Sequence, residues 1–373
     1  YNDFRPYLFR TTDKGESWEA LSQDLTKNEN PGEWEIMGLK PSLRAYNSLT
    51  ALAESPLQEG LIYTGADDGS VHRTLNGGET WEPLSDRFGF GTSPTDTAKF
   101  VTKLHASSSD PATAYISFTG HFYNDFRPYL FRTTDAGGSW TSIVGDMPAE
   151  AVVMAILEHP EAPNLLFAGI HNGLMVSFNG GVNWTRAGGN LPPVSVNEIK
   201  VKEGDLVLAT YGRGILIMDD ADFLAGIAEG ATEQEAYLFP IRETEQFYRN
   251  NRDLSNKAAR FSGPNPEYGA LITYYLEEEA TQGGEEVSIQ VMDSEGRLIR
   301  ELSGPSGEGF HRIAWDLRQV EEDETGEEEV SGQESARRRP QMTDVEPGEY
   351  MVRLVAGDLE LTQTVTVVPD KRL

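Results

Sequence analysis

The 373 residues carry 60 acidic against 31 basic side chains, a formal net charge of -29, with 38% hydrophobic residues and no cysteine. That charge repels polyphosphate and excludes nucleic-acid binding by counterion release. The missing cysteines exclude a disulfide framework and a thiol nucleophile and remove the commonest ligand of structural zinc, and no apolar run is long enough for a transmembrane helix.

The length suits two ordinary domains, and the acidity, with arginine ahead of lysine, suits a salty environment. The chain opens in the middle of a repeat, so further repeats and any export signal are expected upstream of Tyr1.

In chain order, an octapeptide pattern recurs four times. It reads Ser/Thr, any, Asp/Asn, any, Gly, any, polar, Trp, at Thr11 to Trp18, Thr74 to Trp81, Thr133 to Trp140 and Ser177 to Trp184. Its chemistry is that of a hairpin turn. The Asp or Asn (Asp13, Asn76, Asp135, Asn179) folds back on backbone amides, and the glycine (Gly15, Gly78, Gly137, Gly181) supplies a positive φ. The tryptophan (Trp18, Trp81, Trp140, Trp184) opens the next strand and buries its ring between sheets. These twelve residues are read as structural rather than catalytic.

Between the turns the plan is constant. From Ser48 to Ser85 it gives an alternating strand through Leu49, Ala51 and Ala53, a second through Leu61 to Tyr63, a turn at Asp67 to Gly69, a third strand from Ser70 to Leu75 and a fourth from Trp81. Four short antiparallel strands per unit make the blade of a β-propeller. The plan recurs over Phe100 to Ile143 and Val152 to Ala187. It recurs partially from Val196 to Asp220, without a fourth strand, and Tyr7 to Leu21 supply only third and fourth strands. Three whole blades and two partial ones cannot protect their own edges, so missing N-terminal sequence or a partner chain is expected to complete the ring. The run Tyr-Asn-Asp-Phe-Arg-Pro-Tyr-Leu-Phe-Arg-Thr-Thr-Asp stands identically at 1–13 and 123–135.

Asp219 and Asp220 read as N-cap residues of a short helix from Ala221 to Glu229 ended by Gly230, within a linker over 221–235. From Ala236 the pattern is alternating strands: Ala236 to Ile241, Ala270 to Leu276, Val287 to Asp293, Arg297 to Leu302, His311 to Leu317, Glu349 to Ala356 and Leu359 to Val368. Short strands with Gly, Pro and Asp turns predict an immunoglobulin-like sandwich over 236–373, with Trp315 as a core anchor. An acidic tract followed by Arg337-Arg338-Arg339 predicts a solvated, disordered loop near 319–345. The fold class is therefore all-β: propeller blades over 1–220, then a sandwich.

The octapeptide is the Asp-box, or BNR repeat. With Asp125-Phe126-Arg127-Pro128-Tyr129-Leu130-Phe131 before one box and Leu208-Ala209-Thr210-Tyr211-Gly212-Arg213-Gly214-Ile215 near the end, the chain resembles bacterial sortilin/VPS10-like propellers, which are often labelled glycosyl hydrolase or sialidase-like. Val291 to Arg297, Trp315 to Arg318 and Pro347 to Tyr350 are similar to the FlgD-type Ig-like domain. The sortilin resemblance implies an extracytoplasmic (secreted, periplasmic or cell-surface) propeller taking a protein, peptide or glycan ligand. A sialidase resemblance would imply an arginine cluster, a Tyr-Glu nucleophile pair and an Asp acid, and these residues do not recur here.

Strand parity gives the site's position independently. All the box turns share one rim of the blades. The opposite rim carries Asp67, Asp68, His121, Tyr123, Asp125, Arg127, His171, Asn172, Tyr211 and Arg213, with Glu33, Trp34 and Glu35 in the long segment Ser22 to Asn47 and a second long segment at Asp86 to Ala98. Asp67-Asp68-Gly69 and His171-Asn172-Gly173 also read as ordinary hairpin turns, Asp125 and Arg127 as a pair bracing a loop, and Tyr211 with Arg213 as braces of the ring closure.

A glycosidase needs two carboxylates about 5 to 10 Å apart, one of raised pKa. Asp67 or Asp68 with Glu33, Glu35 or Asp125 are the candidates. The histidines lack metal-ligand spacing, so neither a metal nor a cofactor is expected. The leading reading is a binding scaffold. The alternatives are a sialidase- or xyloglucanase-like glycoside hydrolase with its site at the propeller centre, and a structural subunit of a larger assembly.

Overall fold

The computed structural model describes residues 7–28, 47–90, 99–247, 267–277, 286–320 and 342–370. The chain forms two compact units, Tyr1–Ala228 and Glu229–Leu373.

The first unit is a row of antiparallel sheets in chain order, a partial β-propeller. β1 (Phe9–Arg10) and β2 (Glu19–Ala20) pair as a two-stranded piece. Three four-stranded blades follow: β3 (Leu49–Glu54), β4 (Ile62–Ala66), β5 (Val71–Thr74), β6 (Glu82–Pro83); then β7 (Phe100–Ala106), β8 (Ala114–Gly120), β9 (Asp125–Thr133), β10 (Thr141–Ser142); then β11 (Val153–Glu158), β12 (Leu166–Ile170), β13 (Gly173–Ser177), β14 (Thr185–Arg186). The last blade has three strands, β15 (Ser195–Lys202), β16 (Asp205–Tyr211) and β17 (Ile215–Met218).

Each repeated turn closes with the same hydrogen bonds. The Ser/Thr hydroxyl accepts the glycine amide at 2.8, 2.9, 2.8 and 2.9 Å in the four copies. The Asp/Asn Oδ1 accepts the amide four residues on at 2.9, 3.0, 2.8 and 2.9 Å. The glycines have φ of +96, +98, +90 and +92°, a region closed to residues with a Cβ at little cost, which is why this position is glycine every time. Hydroxyl, amide and glycine thus saturate a tight turn without help from elsewhere in the fold.

The turns also join blade to blade. The Trp81 indole N–H donates to the Leu21 carbonyl at 3.1 Å, and Trp184 donates to Ile143 at 2.9 Å, in each case three residues after the preceding blade's tryptophan. Trp140 makes no such bond and its N–H is buried without a partner, while the corresponding Leu84 carbonyl accepts the Arg87 amide in the 3-10 turn Ser85–Phe88. Its ring instead packs on Tyr63 and Phe88.

At the inner strands, a register shift leaves Thr50 and Thr102 unpaired in their ladders, and each hydroxyl donates to the next blade's inner strand, at Val101 (2.7 Å) and Val153 (3.0 Å). Apolar clusters fill the spaces between blades, for example Tyr63, Val71, Val101, Ile116, Phe131 and Trp140 in one and Leu130, Ile143, Val153, Met175 and Trp184 in the next. Each fully buried aliphatic or aromatic side chain contributes about 1.5–3 kcal/mol.

The last blade follows the hairpin plan as far as the Ala221 amide, which donates to the Gly204 carbonyl as Gly77, Ala136 and Gly180 do to their own preceding turns. There the chain leaves for helix α1 (Phe223–Ala228), shorter than the predicted Ala221 to Glu229. Asp220 does not stand as an N-cap: it has φ +51° and its amide donates to Asp205. Leu224, Ala225 and Ala228 pack on the cluster of Val196, Leu206 and Leu208, so α1 caps the last blade rather than linking units.

The second unit has two main sheets around one core. β18 (Ala236–Leu238), β20 (Ala270–Leu276) and β23 (Gly309–Trp315) form one. β19 (Thr244–Glu245), β21 (Val287–Met292), β22 (Leu298–Gly304), β26 (Gly348–Ala356) and β27 (Leu359–Val368) form the other. Inward residues alternate with outward ones, as Ile272, Tyr274 and Leu276 against Ile289, Val352 and Val365 show. Trp315 is fully buried, donates to the Arg318 carbonyl at 3.0 Å and meets Tyr350 edge-on. β24 (Arg318–Val320) pairs with β25 (Met342–Asp344), so the ends of the predicted loop 319–345 are strands, and its centre lies outside the described residues.

Candidate functional site

The rim opposite the repeated turns is built from hairpins that differ from blade to blade. Between β4 and β5, Asp67 and Asp68 are 3% and 0% exposed. Asp68 is spent on the backbone: one oxygen accepts the Ser70 amide at 2.8 Å and the other the Lys27 amide at 2.6 Å. Asp67 accepts the Ser48 amide at 2.8 Å. Burial, only partly offset by that bond, raises its pKa to about 6, and the neighbouring Asp68 charge adds to the rise. Glu33, Trp34 and Glu35, the expected companions, lie outside the described residues, as do residues 91–98 of the second long segment.

The β8–β9 hairpin is the long one. After the 3-10 turn His121–Tyr123 and Asn124, in a left-handed conformation, β9 starts at Asp125. Asp125 is a hub: Arg127 donates to both of its oxygens at 2.9 and 2.8 Å, Lys99 donates at 2.8 Å and the Tyr129 hydroxyl at 2.6 Å. These partners, Arg127 foremost, hold its carboxyl far below the ordinary carboxylate range. A carboxylate so held neither donates a proton nor acts as a base near neutrality, and its role is to brace the loop.

Lys99 is 1% exposed and lies 5.1 Å from the centre of the Tyr129 ring. Sequence reading missed Lys99, because a single lysine after a polar linker carries no signal of burial. Tyr123, Asn124, Asp125, Phe126, Arg127, Ala149 and Glu150 line an open depression of about 500 Å³, and Phe126 is 42% exposed.

In the next blade, His171 and Asn172 form the tight β12–β13 turn, where Arg186 donates to the Asn172 carbonyl. His121 and His171 come close enough to interact: burial first, then the His171 charge, lowers the His121 pKa. Tyr211 is 81% exposed, and Arg213 is exposed as well. Among the described residues no group of three or more His, Asp or Glu is placed to hold a metal. The rim therefore brings His121, Tyr123, Asp125, Arg127 and His171 into one region, and leaves the other named residues as separate turns.

No family model matches the chain. Over 142 residues, 35% of the chain, it is 30% identical to xyloglucanase Xgh74A of Acetivibrio thermocellus, covering 16% of that protein. Over 161 residues, 41% of the chain, it is 27% identical to a probable oligoxyloglucan-reducing end-specific xyloglucanase of Neosartorya fischeri, covering 19% of it. Among solved structures, the GH74 xyloglucanase from Xanthomonas campestris aligns over 96% of this chain and 42% of its own at 14% identity and TM-score 0.37. YCF48 from Cyanidioschyzon merolae aligns over 46% and 52% at 19% identity and TM-score 0.35. The chain thus spans less than a fifth of the curated relatives it matches.

Proposed function

We propose that this chain is part of an extracytoplasmic propeller that cleaves a glucan polysaccharide, in the manner of a xyloglucanase. The carrying observation is the match to two xyloglucanases, 30% identical over 142 residues in one. An extracytoplasmic place follows from such a substrate, and no helix among the described residues is long and apolar enough to span a membrane.

Of the three candidate carboxyls described, Asp67 has the property a general acid needs, a proton retained toward neutrality by burial, with a pKa of about 6. Asp68 and Asp125 are consumed by internal bonds, so the second carboxylate of the pair is neither of them. With Asp67 at 3% exposure and bonded to the Ser48 amide, substrate reaches it only if the chain around it gives way.

The test is incubation of the purified protein with xyloglucan, cellulose and mixed-linkage glucan, with chromatography of the products. Oligosaccharide release that falls at least a hundredfold in Asp67→Asn supports the reading. No release from any of them refutes it. A binding scaffold is the second reading, favoured by the rigidly braced Asp125 loop with its exposed Phe126 beside an open depression. Retention on a glucan affinity gel without any product would establish that one instead.

A further inference from the structure

The turn between the first and second strands is a repeat in its own right. In the first two complete blades a serine closes it. The Ser55 amide donates to the Leu61 carbonyl and the Ser107 amide to Thr113, and each hydroxyl accepts the amide two residues on, from Leu57 at 3.3 Å and from Ser109 at 3.0 Å. The third complete blade makes the same turn with a histidine. Its His159 amide donates to the Leu165 carbonyl, and the His159 Nδ1 accepts the Glu161 amide at 3.3 Å. An imidazole nitrogen therefore stands where the other two blades have a hydroxyl, and of these three side chains it is the one that titrates near neutrality.

The opposite side of the ring meets the start of α1. An Nδ1 that accepts an amide leaves the ring proton on Nε2, and Nε2 lies 3.7 Å from Asp222 Oδ1. Asp222 immediately precedes α1: its carbonyl accepts the Ala225 amide at 2.9 Å, and its carboxylate packs against Gly204. In turn, Leu224, Ala225 and Ala228 of α1 pack on Val196, Leu206 and Leu208 of the last blade. His159 thus joins the third blade's turn to the root of the helix that caps the last blade.

Two effects compete when His159 takes up a proton. The carboxylates of Asp222, at the root of α1, and Glu161, in its own turn, attract the cation. Phe167 of β12, whose ring centre is 6.4 Å away, carries no charge, and Glu158 of β11 is bonded to Ser107 and Tyr115. Against that attraction, His159 is 2% exposed, while the Asp222 side chain is 49% exposed and its pull is screened. Protonation also turns Nδ1 into a donor facing the Glu161 N–H. Burial prevails, and the pKa falls below the ordinary 6.5. The unfolded chain then holds the proton more tightly than the fold does, so the stability of this junction is complete above about pH 6.5 and is lost as pH falls below it.

We infer that His159 is a pH-sensitive latch: neutral, it fastens the third blade's turn to Asp222 and keeps α1 on the last blade, and protonated, it releases both and uncovers Val196, Leu206 and Leu208. The turns closed by Ser55 and Ser107 have no such switch. Because α1 ends the first compact unit, Tyr1–Ala228, acid acts on the stretch of chain that leads out of it.

The experiment follows amide hydrogen exchange of the 373-residue protein between about pH 7.5 and pH 5, as protection factors, so that the intrinsic pH dependence of exchange cancels. The amides of Glu161, Leu224 and Ala225 should lose about tenfold or more in protection in acid, while that of Ser109 stays within about twofold. His159→Ser, which installs the residue of the other two turns, should hold α1 protection constant across the range. Asp222→Asn should move the loss to lower pH, because a carboxylate that favours the proton is gone. Protection of α1 that does not change with pH in the unaltered protein overturns the inference. So does an equal loss in His159→Ser, or a midpoint unmoved in Asp222→Asn. Should the serine variant fail to fold, the Asp222→Asn midpoint decides.

Discussion

Residues 7–13 and 129–135 have the same sequence, Tyr-Leu-Phe-Arg-Thr-Thr-Asp, and the same turn, yet different surroundings. Thr11 and Thr133 accept their glycine amides at 2.8 Å alike, so the local structure is independent of context. Burial is not. Phe9 is 45% exposed where Phe131 is 8%, and Trp18 is 62% exposed where Trp140 is 9%. The second copy lies in a four-stranded blade packed between two others, while the first contributes only β1 and β2. Turn chemistry therefore resides in the sequence, and the stabilisation of the strand it feeds resides in the neighbouring blade.

The largest effect expected from this contrast is at the phenylalanines. Phe131→Ala should lower unfolding free energy by about 3–4 kcal/mol in denaturant titration, because it opens a cavity against Phe88 and Phe118. Phe9→Ala should change it by less than about 1 kcal/mol. Equal losses would show that β1 is as well packed as β9. Asp125→Ala probes the second copy's own surroundings, since Lys99 is buried against Asp125. Leaving that lysine uncompensated should cost about 3 kcal/mol, and Lys99→Met combined with Asp125→Ala should recover part of it.

A smaller, pH-dependent effect belongs to Asp67. The folded protein holds its proton more tightly than the unfolded chain does, with pKa raised from 3.8 to about 6. Its contribution to stability is therefore full below about pH 4 and is lost as pH rises through about 6. Asp67→Asn should reduce the fall in stability between pH 4 and 7 by on the order of 2 kcal/mol, read from denaturation midpoints at both pH values. The smallest effect is in the repeated turns. Asp13 and Asp135 are lowered to about 2, both by hydrogen bonds from Ser17 and Ser139 with help from their threonines. Their turns lose the carboxylate contribution as pH falls from about 4 toward 2, whereas those of Asn76 and Asn179 do not titrate. Asp13→Asn with Asp135→Asn should flatten the acid limb of the stability curve slightly, and an unchanged limb would place the acid sensitivity elsewhere.

Much of the fold was legible because hairpin signals are local. The four turns and the strands Ala270–Leu276 and Leu359–Val368 fall where alternation and Gly/Asp punctuation put them. The site was less legible. Sequence showed that Asp67, Asp125, His121 and His171 share a rim, but not that Asp68 would spend both oxygens on amides as far apart as Lys27 and Ser70. Nor did it show Lys99 inside, because what decides its burial is Asp125, 26 residues away.

The sequence by itself determined the turns, their glycines and the strand order, since a hydroxyl, a carboxyl or amide oxygen and a positive-φ residue within eight positions satisfy one another without outside help. Tertiary structure alone decided which identical strand is buried and which carboxyl keeps its proton. Each of these depends on desolvation by a neighbouring blade, and desolvation is a property of what surrounds a residue rather than of the residue.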